Sequence, residues 1–448
     1  MTFFLEGTPA ELGAARAIYR EQFEAWDGRE LLRWYVDPAN LGLLSRAVRE
    51  LGAKPRAELE VILRAEDVAT DRTLVADEGV LVPTLRRLHE QRAPRTSLAF
   101  RMSNGRPYVF PPPALDISTN DLCGLKCVMC GNRAPRRDPH TISAADVRAL
   151  IDEAADWGIR RVALTGAGEP FRDPAMLAHI RYANEKGHLV TITTNGFPIS
   201  EKVASALAER FVSISISIHG ARDTTHDAIV GVPTAADHAW RAVRRLVRAR
   251  DAVANGSKLS VNVSTVIQRD NLLEMPDLVR RAREEGCNGI NIQPVNLQHG
   301  FLKGDAIVRR DDLGAMSRLW PNDARTRQSD LDGVFSELQS QKAEYGKFVH
   351  ASPERLALFR RYFDDSSRDA LGVTCRVGES FLAVDHRGQI KPCYRLPWSY
   401  GDARFDRLRA LWNSEAYAHT RSLVESCPLT CMNNCFFREK NGAKGAAS

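Results

Sequence analysis

Six short strand-like segments alternate with helical segments between residues 113 and 300, and this alternation restricts the possible folds more than any other feature of the sequence. Runs such as "SAADVRALIDEAADWG" have helical periodicity, whereas the segments between such runs are short and rich in β-branched residues. Strands that alternate with helices predict βα units and a parallel sheet. The six predicted strands are "ALDIST", "RVALTG", "LVTITTNG", "FVSISISIHG", "KLSVNVSTVI" and "GINIQPV". Six repeats predict an α/β barrel, complete or partial.

The predicted strands are apolar on one face and polar on the other. In "FVSISISIH" serine or histidine alternates with valine or isoleucine. Because side chains alternate faces along a strand, the apolar face should meet the helices and the polar face should line the lumen. A barrel filled only for packing has bulky branched residues inside, so this lumen is predicted to hold a polar ligand. The predicted lumen residues are Asp116, Ser118, Ser213, Ser215, Ser217, His219, Ser260, Asn262, Ser264, Asn291 and Gln293.

The nine cysteines are distributed unevenly, and they should be reduced thiols in a cytoplasmic protein. Three of them follow the first predicted strand directly, at Cys123, Cys127 and Cys130. Loops at that end of the strands form the active sites of barrels. Three thiolates on a [4Fe–4S] cluster leave one iron open to a ligand that is not protein. The alternative is a zinc knuckle that a distant Cys or His completes.

The cysteine triplet has the spacing of a known family. "CGLKCVMC" resembles the Cys-x3-Cys-x2-Cys motif of the radical S-adenosylmethionine (radical SAM) superfamily, and its place after the first strand is similar. The resemblance implies a partial (β/α)6 TIM-like barrel and a [4Fe–4S] cluster whose fourth ligand is S-adenosylmethionine (SAM). Met129 departs from the family, which usually has an aromatic residue before the third cysteine.

A second motif extends the resemblance. "TGAGEP" resembles the family's Gly-Gly-Glu-Pro motif, which holds the amino group of SAM, although Ala167 replaces one glycine of the usual doublet. The resemblance implies that Glu169 binds the ammonium group, while glycines let backbone carbonyls approach it closely. The residues that the resemblance places near SAM or the substrate are Gly166, Gly168, Glu169, Thr193, Asn195, Ser215 and Ser217.

The resemblance also implies a reaction. One-electron reduction of the cluster cleaves SAM to a 5′-deoxyadenosyl radical, which abstracts hydrogen from an unactivated C–H bond. The cofactor carries this chemistry, while the protein positions the substrate and excludes water. An external one-electron reductant such as flavodoxin or ferredoxin is then an expected partner.

Five cysteines near the C-terminus accompany a predicted hairpin. "CRVGESFLAVDHRGQIKPCYR" predicts two strands joined at "DHRG". With the "LWNSEAY" helix that follows, it resembles the SPASM/twitch extension of radical SAM enzymes, which implies an auxiliary [4Fe–4S] cluster. Five thiols suffice for one fully ligated cluster and not for two, which favours the shorter, twitch-like form; the alternative is a zinc-ribbon-like site. The implied ligands are among Cys375, Cys393, Cys427, Cys431 and Cys435.

The sequence predicts four regions. Residues 1–108 are predicted to be a helical N-terminal region, because "AELGAARAIYREQFEAW" and "ANLGLLSRAVREL" have helical periodicity. The turn-rich segment "NGRPYVFPPPA" separates this region from the barrel. Residues 109–300 are the predicted barrel, residues 301–372 a helical connection and residues 373–448 a small cysteine-rich α+β domain.

Composition narrows the possible partners. The chain has 448 residues, of which 44% are hydrophobic and 26% charged, as is typical of a globular protein with more than one domain. The net charge of +6 comes from dispersed arginine, so neither nucleic acid nor a membrane is an expected partner. The first residues lack the basic segment and apolar core that are typical of a signal peptide, and no apolar run reaches the roughly 18 residues of a membrane span. We therefore expect a cytoplasmic protein.

The lumen and the N-terminal region favour a polar small molecule as substrate. The lumen is rich in hydroxyl and amide side chains, and a helical N-terminal region would lack the strand-rich winged-helix pattern of a leader-peptide recognition module. Both points favour a hydroxylated small molecule. The resemblance to SPASM/twitch enzymes implies that this molecule is a sugar or an aminocyclitol/aminoglycoside in antibiotic biosynthesis, and that the reaction is a dehydrogenation, a dehydration or an epimerisation. The alternatives are a peptide-modifying SPASM-type maturase and a zinc-stabilised, non-catalytic binding protein.

Two further residues are candidates for catalysis. Cys287 could donate a hydrogen atom to a substrate radical, although a buried cysteine more often packs as a small hydrophobic residue. His219 lies at the end of a predicted strand on its polar face, where it could contact the substrate or have a structural role.

Overall fold

The computed structural model of the chain contains two compact units, Met1–Pro113 and Ala114–Ser448. The first unit is described mainly by the backbone of its strands, and the second includes side chains. The described residues are the strands named below, residue 112 and residues 114–130, 140–254, 256–296, 318–322, 327–375, 377–396, 398–399, 401–412, 414, 417, 420, 423–424 and 427–432. Among the described helices, none combines the length and the apolar composition that crossing a membrane requires.

Six strands form one sheet in the first unit. Three parallel strands, β1, β2 and β3, are followed by β5, which pairs antiparallel with β3 and also pairs with β4 and β6. Their bounds are β1 (Thr2–Leu5), β2 (Leu32–Val36), β3 (Glu58–Leu63), β4 (Arg72–Thr73), β5 (Leu98–Ser103) and β6 (Arg106–Tyr108).

This sheet adds strands to a region for which the sequence predicts mainly helices. Each strand is a run of at most six residues, too short for its pattern to stand out beside the longer helical periods. The two segments that predict helices, residues 10–26 and 39–51, lie outside the described residues.

Six parallel strands alternate with helices in the second unit, and each coincides with a predicted strand. Neighbours in sequence are also neighbours in the sheet, which is the order of a partial (β/α)6 barrel. The strands are β7 (Ala114–Ser118), β8 (Arg161–Thr165), β9 (Leu189–Thr194), β10 (Val212–Ser217), β11 (Ser260–Ile267) and β12 (Gly289–Pro294). The helices are α1 (Ala144–Trp157), α2 (Met176–Glu185), α3 (Glu201–Ala208), α4 (Asp223–Val230), α5 (Ala235–Asp251) and α6 (Met275–Glu284).

The apolar faces of these strands pack beneath the helices. In β10, Val212, Ile214 and Ile216 are fully buried, whereas the alternating serines stay partly accessible. The helix α5 packs on β10 and β11, and it contributes the fully buried Trp240. In β10 the observed burial agrees with the predicted division of the strand into a core face and a polar lumen face.

The segment after the barrel begins with a hairpin. β13 (Gln298–Lys303) and β14 (Ala306–Asp311) pair antiparallel where the sequence predicts the helical connection to begin. Neither strand has the strict apolar–polar alternation that would reveal it. Three helices follow, and they are α7 (Gln328–Tyr345), α8 (Pro353–Asp364) and α9 (Arg368–Leu371).

The C-terminal hairpin is an extension of the barrel sheet. β16 pairs parallel with β7, so that Ala383 lies beside Asp116, and β17 and β18 continue the sheet outward. This docking covers the edge of β7 and brings the late cysteines beside the first barrel strand. The elements are β15 (Val373–Cys375), α10 (Val377–Ser380), β16 (Leu382–Val384), β17 (Gln389–Lys391), β18 (Gly401–Asp402), α11 (Leu408–Trp412) and β19 (Phe437–Glu439).

Candidate active site

The loop after β7 presents the cysteine triplet. Its thiols are at least partly accessible, and they belong to Cys123, Cys127 and Cys130. The loop is anchored because the backbone N–H groups of Lys126 and Val128 donate to carbonyls at the end of α4, at 3.0 and 2.9 Å. Three thiols that project from one anchored loop form the soft donor set that iron–sulfur ligation requires.

Cys123 lies close to the other predicted site residues. Its Sγ accepts the backbone N–H of Leu125 at 3.4 Å and faces the amide nitrogen of Asn195 at 3.9 Å. Burial raises the pKa of the Cys123 thiol, and the nearby Glu169 and Cys130 raise it further. A cation such as iron would therefore stabilise the thiolate at this position.

Gly168 allows the "TGAGEP" loop to approach the cysteine loop. A Cβ atom on Gly168 would lie 2.1 Å from the carbonyl oxygen of Leu122, and one on Gly166 would lie 2.9 Å from the carbonyl oxygen of Gly168. The backbone N–H of Glu169 donates to the Leu122 carbonyl at 2.6 Å. Glycine is thus required sterically at 166 and 168, which explains how Ala167 can replace one residue of the usual doublet.

Glu169 is held by three donors. Its Oε1 accepts from the hydroxyl of Thr194 at 2.6 Å and from the backbone N–H of Phe171 at 3.2 Å, and its Oε2 accepts from the backbone N–H of Asn195 at 2.8 Å. Burial raises the pKa of Glu169, whereas these donors lower it. The carboxylate is therefore fixed in orientation, as a partner for an ammonium group should be. Thr194 was not predicted; its signal would have been its place directly before Asn195.

Asn120 is a second residue that sequence reasoning missed. The side chain is fully buried, its amide nitrogen donates to the carbonyl oxygen of Glu169 at 3.1 Å, and its Oδ1 accepts the backbone N–H of Leu122 at 2.9 Å. One side chain thus joins the cysteine loop to the Glu169 loop. An asparagine directly after a strand of a parallel sheet is the signal that could have identified it.

The polar lumen residues form rows across neighbouring strands. Thr193 lies beside Ser215, which lies beside Asn262, and Ser217 lies beside Ser264 in the next row. These rows bring the predicted Thr193, Ser215 and Ser217 to the lumen near the carboxyl ends of their strands. A ligand there would meet neutral hydroxyl and amide groups.

His219 is occupied by structural contacts. Its Nδ1 accepts the backbone N–H of Val266 at 3.3 Å, and its ring stacks on that of His226 at 5.9 Å. Burial and, to a smaller extent, the neighbouring His226 lower the pKa of His219 to about 3. The ring is therefore neutral at physiological pH, and it holds β10 and β11 together.

Cys287 lies away from the other site residues. It precedes β12, at the amino end of that strand, whereas the cysteine and Glu169 loops follow the carboxyl ends of β7 and β8. Burial raises the pKa of the Cys287 thiol to about 12. This position suits packing rather than hydrogen-atom donation to a substrate in the lumen.

Four late cysteines line one enclosed cavity, and they are Cys375, Cys393, Cys427 and Cys431. Burial raises the pKa of the Cys393 thiol to about 12 and that of Cys427 to about 11, and the neighbouring thiols raise both. Four converging thiols suffice to ligate a four-iron cluster fully. Cys435 lies outside the described residues. Within the described part of the chain, no three His, Cys, Asp or Glu side chains form a site for a single metal ion.

The auxiliary hairpin also contacts the loop that carries Cys123. His386, in the turn between β16 and β17, places its Nε2 3.3 Å from the Oδ2 of Asp121. The other carboxylate oxygen of Asp121 accepts the backbone N–H of His140 at 2.8 Å. Since Asp121 lies two residues before Cys123, this contact joins the auxiliary hairpin to the segment that leads into the cysteine loop.

Two family models match the chain, in the two regions that carry the clustered cysteines. Residues 117–282 match the model of the radical SAM superfamily. Residues 117–282 are a radical SAM domain. Residues 375–436 match the SPASM model, an iron–sulfur cluster-binding domain. This radical SAM enzyme therefore uses a [4Fe–4S] cluster with SAM in its barrel and auxiliary iron–sulfur ligation in its SPASM domain.

Relatives of this radical SAM enzyme differ in function. The AdoMet-dependent heme synthase of Nitratidesulfovibrio vulgaris is 26% identical over 313 residues, which cover 68% of this chain and 79% of that protein. The mycofactocin maturase MftC of Mycobacterium tuberculosis is 32% identical over 166 residues, which cover 37% of this chain and 40% of MftC. The crystal structure of Streptococcus suis SuiB bound to SAM shares the fold, with a TM-score of 0.56 and 16% identity over 92% of this chain and 80% of SuiB.

Proposed function

We propose that this radical SAM enzyme abstracts hydrogen from a C–H bond of a peptide, as a SPASM-type peptide maturase. The observation that carries the proposal is the extent of the likeness to SuiB, which spans 92% of the chain. Because Ala114–Ser448 makes up only about three quarters of the chain, the likeness extends into the N-terminal unit. SuiB has also been solved with its precursor peptide SuiA, at a TM-score of 0.53.

The N-terminal sheet affects the choice between a peptide and a sugar or aminocyclitol as substrate. A helical N-terminal region would favour a sugar or an aminocyclitol, and the six strands found there remove that support. Neutral hydroxyl and amide groups in the lumen suit peptide amides as well as sugar hydroxyls. A heme precursor is a second candidate, because the heme synthase relative aligns over 68% of the chain.

The residues of this chain supply binding and orientation. We assign the cluster to the cysteine loop, the ammonium group of SAM to the fixed carboxylate of Glu169, and the contacts to SAM or the substrate to the lumen hydroxyls of Thr193, Ser215 and Ser217. When bound, the cluster and SAM supply the one-electron chemistry that removes a hydrogen atom.

Anaerobic incubation with SAM and a one-electron reductant tests the proposal. The substrate panel contains small peptides encoded next to the gene, a heme precursor and an aminocyclitol. We expect 5′-deoxyadenosine formation to depend on one peptide, whose mass changes in step. A mass change in the aminocyclitol or the heme precursor alone would overturn the peptide assignment.

The matched control keeps the barrel and removes the cluster ligands. The variant with alanine at 123, 127 and 130 should bind the peptide with wild-type affinity and form no 5′-deoxyadenosine. A peptide that binds the wild type without any change in mass would be an inhibitor rather than the substrate.

A further inference from the structure

One oxygen of Asp116 is fixed by two hydroxyl groups. Asp116 lies on the inner face of β7, and its Oδ1 accepts from the hydroxyl of Thr165 at 2.5 Å and from that of Tyr394 at 2.8 Å. Thr165 ends the neighbouring strand β8, and Tyr394 directly follows Cys393 in the auxiliary site. The carboxylate thus joins the barrel lumen to the residue beside an auxiliary cysteine.

Among the described residues, none donates a hydrogen bond to the second oxygen of Asp116. Within the described part of the chain, both hydrogen-bond donors that contact Asp116 act on Oδ1. Oδ2 is not one of the buried side-chain atoms that lack a hydrogen-bond partner. The ring of Tyr394 is itself fixed, since it packs edge-on against Phe381 at 5.8 Å. Two donors thus fix Oδ1 and leave Oδ2 as the oxygen available to a ligand, on a strand whose neighbouring lumen side chains are mostly neutral.

We propose that Oδ2 of Asp116 accepts the proton that the substrate loses during its oxidation, with Thr165 and Tyr394 as positioning residues. This inference rests on the proposed function. A C–H bond of the substrate breaks first, and the hydrogen atom leaves with the product of SAM cleavage. The substrate then loses an N–H, O–H or C–H proton to Oδ2 and one electron to an iron–sulfur cluster at the auxiliary site. The two remaining electrons form a new double bond or ring bond in the substrate.

The electrostatic surroundings suit a proton acceptor. Burial raises the pKa of Asp116 to about 6, even though the hydrogen bonds from Thr165 and Tyr394 act to lower it. On the adjoining strand β16 the neighbour is the uncharged Ala383, and Asp385 beyond it is paired with Lys391 at 3.6 Å. At neutral pH the carboxyl is therefore ionised, yet it holds a proton more readily than an ordinary aspartate.

The first arm of the test measures product per 5′-deoxyadenosine across the pH range. The probe is whichever member of the panel above the wild type converts. We expect Asp116→Asn to lower this ratio at least about tenfold, since general bases contribute at least that much. Wild-type product formation should rise with pH through about 6, as Asp116 ionises.

The second arm needs no substrate. Infrared difference spectra of wild type against Asp116→Asn follow the protonated carboxyl as pH changes. We expect a midpoint near 6 in the wild type and a higher one in Tyr394→Phe, because the lost donor stabilises the carboxylate. A merely structural role would lower the yield of Tyr394→Phe at every pH and leave both the product profile and the carboxyl midpoint in place.

A second Asp–Tyr pair provides the matched control. Asp152 accepts from the hydroxyl of Tyr182 at 2.6 Å on the outer helices, and Asp152→Asn should leave the ratio unchanged. An unchanged ratio in Asp116→Asn, or a carboxyl that titrates like an ordinary aspartate, would overturn the inference. Conversion of the aminocyclitol or the heme precursor instead of a peptide would refute only the proposed function. The product ratio and the infrared titration would then still test the role of Asp116.

Discussion

The hydroxyl of Thr194 donates to Oε1 of Glu169 at 2.6 Å, and the next residue in the chain, Asn195, donates its backbone N–H to Oε2. The end of β9 therefore holds both oxygens of one carboxylate. The same asparagine turns its amide toward Cys123. The end of a single strand thus sets the geometry between the predicted ammonium partner of SAM and the first cluster ligand.

Glu169→Gln should weaken SAM binding by about ten- to a hundredfold. The substitution keeps the shape and removes the charge, and hydrogen bonds to charged groups contribute about 1.5–3 kcal/mol, where 1.4 kcal/mol is tenfold. Thr194→Val should cost less, about fivefold, because it removes one neutral donor. Equilibrium binding of SAM to the reconstituted protein measures both effects.

The control for this series is Glu201→Gln. Glu201 lies on α3 and pairs with Arg245 at 3.1 Å on the surface, so its substitution should leave SAM affinity unchanged. Wild-type affinity in Glu169→Gln would show that this carboxylate does not contact the ammonium group.

Gly168→Ala should destabilise the barrel and reduce its iron content. The new methyl group would meet the Leu122 carbonyl oxygen at 2.1 Å, and backbone cannot move aside as a side chain can. Overpacking of this kind costs about 1–3 kcal/mol. Thermal unfolding of the apoprotein measures the loss, and iron analysis after reconstitution measures the distortion of the cysteine loop.

Gly333→Ala is the matched control for that substitution. Gly333 lies inside α7 with open space around its Cβ position. Alanine there should stabilise the protein by about 0.5–1 kcal/mol, because glycine is the poorer helix former. Equal thermal midpoints for the two variants would contradict the close approach of the two loops.

Alanine at any one of the four cavity cysteines should remove about four irons per chain. These thiols share one cavity, so the loss of one ligand should release or destabilise the same cluster. Iron and sulfide analysis of Cys375→Ala, Cys393→Ala, Cys427→Ala and Cys431→Ala tests this. Cys287→Ala should keep the wild-type iron content, and zinc in place of iron would contradict the auxiliary cluster.

The unfolding free energy should fall on acidification because of the paired histidines. Burial lowers the pKa of His226 to about 4, from an ordinary value of 6.5. Between these values the unfolded chain binds a proton that the native state excludes, so stability falls by up to about 1.4 kcal/mol per pH unit. Above pH 6.5 this histidine contributes no pH dependence.

His226→Asn should remove the contribution of this histidine to the pH dependence of the unfolding free energy. Asparagine retains an acceptor for the backbone N–H of His219, which now donates to His226 Nδ1 at 3.0 Å. Denaturant unfolding of both proteins from about pH 7 to about pH 4 gives the comparison. A constant difference between them over the whole range would show that His226 is not held neutral.

Local pattern was sufficient for the barrel and for its cluster loop. In β10 the alternation of serine with isoleucine identified both the strand and its two faces, because side chains of an extended chain must alternate. The spacing of Cys123, Cys127 and Cys130 within one loop likewise depends on neighbours in sequence. Short strands such as β1 and β3 have no comparable alternation of polar and apolar residues, so the sequence did not predict the N-terminal sheet.

The sequence by itself determined the six strands, the polar lumen and the two groups of cysteines, because each depends on residues close together in the chain. Only the tertiary structure decided that β16 docks on β7, that four late cysteines share a cavity, and that Tyr394 reaches Asp116 from 278 residues away. Such contacts join segments that are far apart in the sequence, and the local pattern of one segment does not predict which other segment it contacts. Packing therefore places an auxiliary-site residue at the lumen wall.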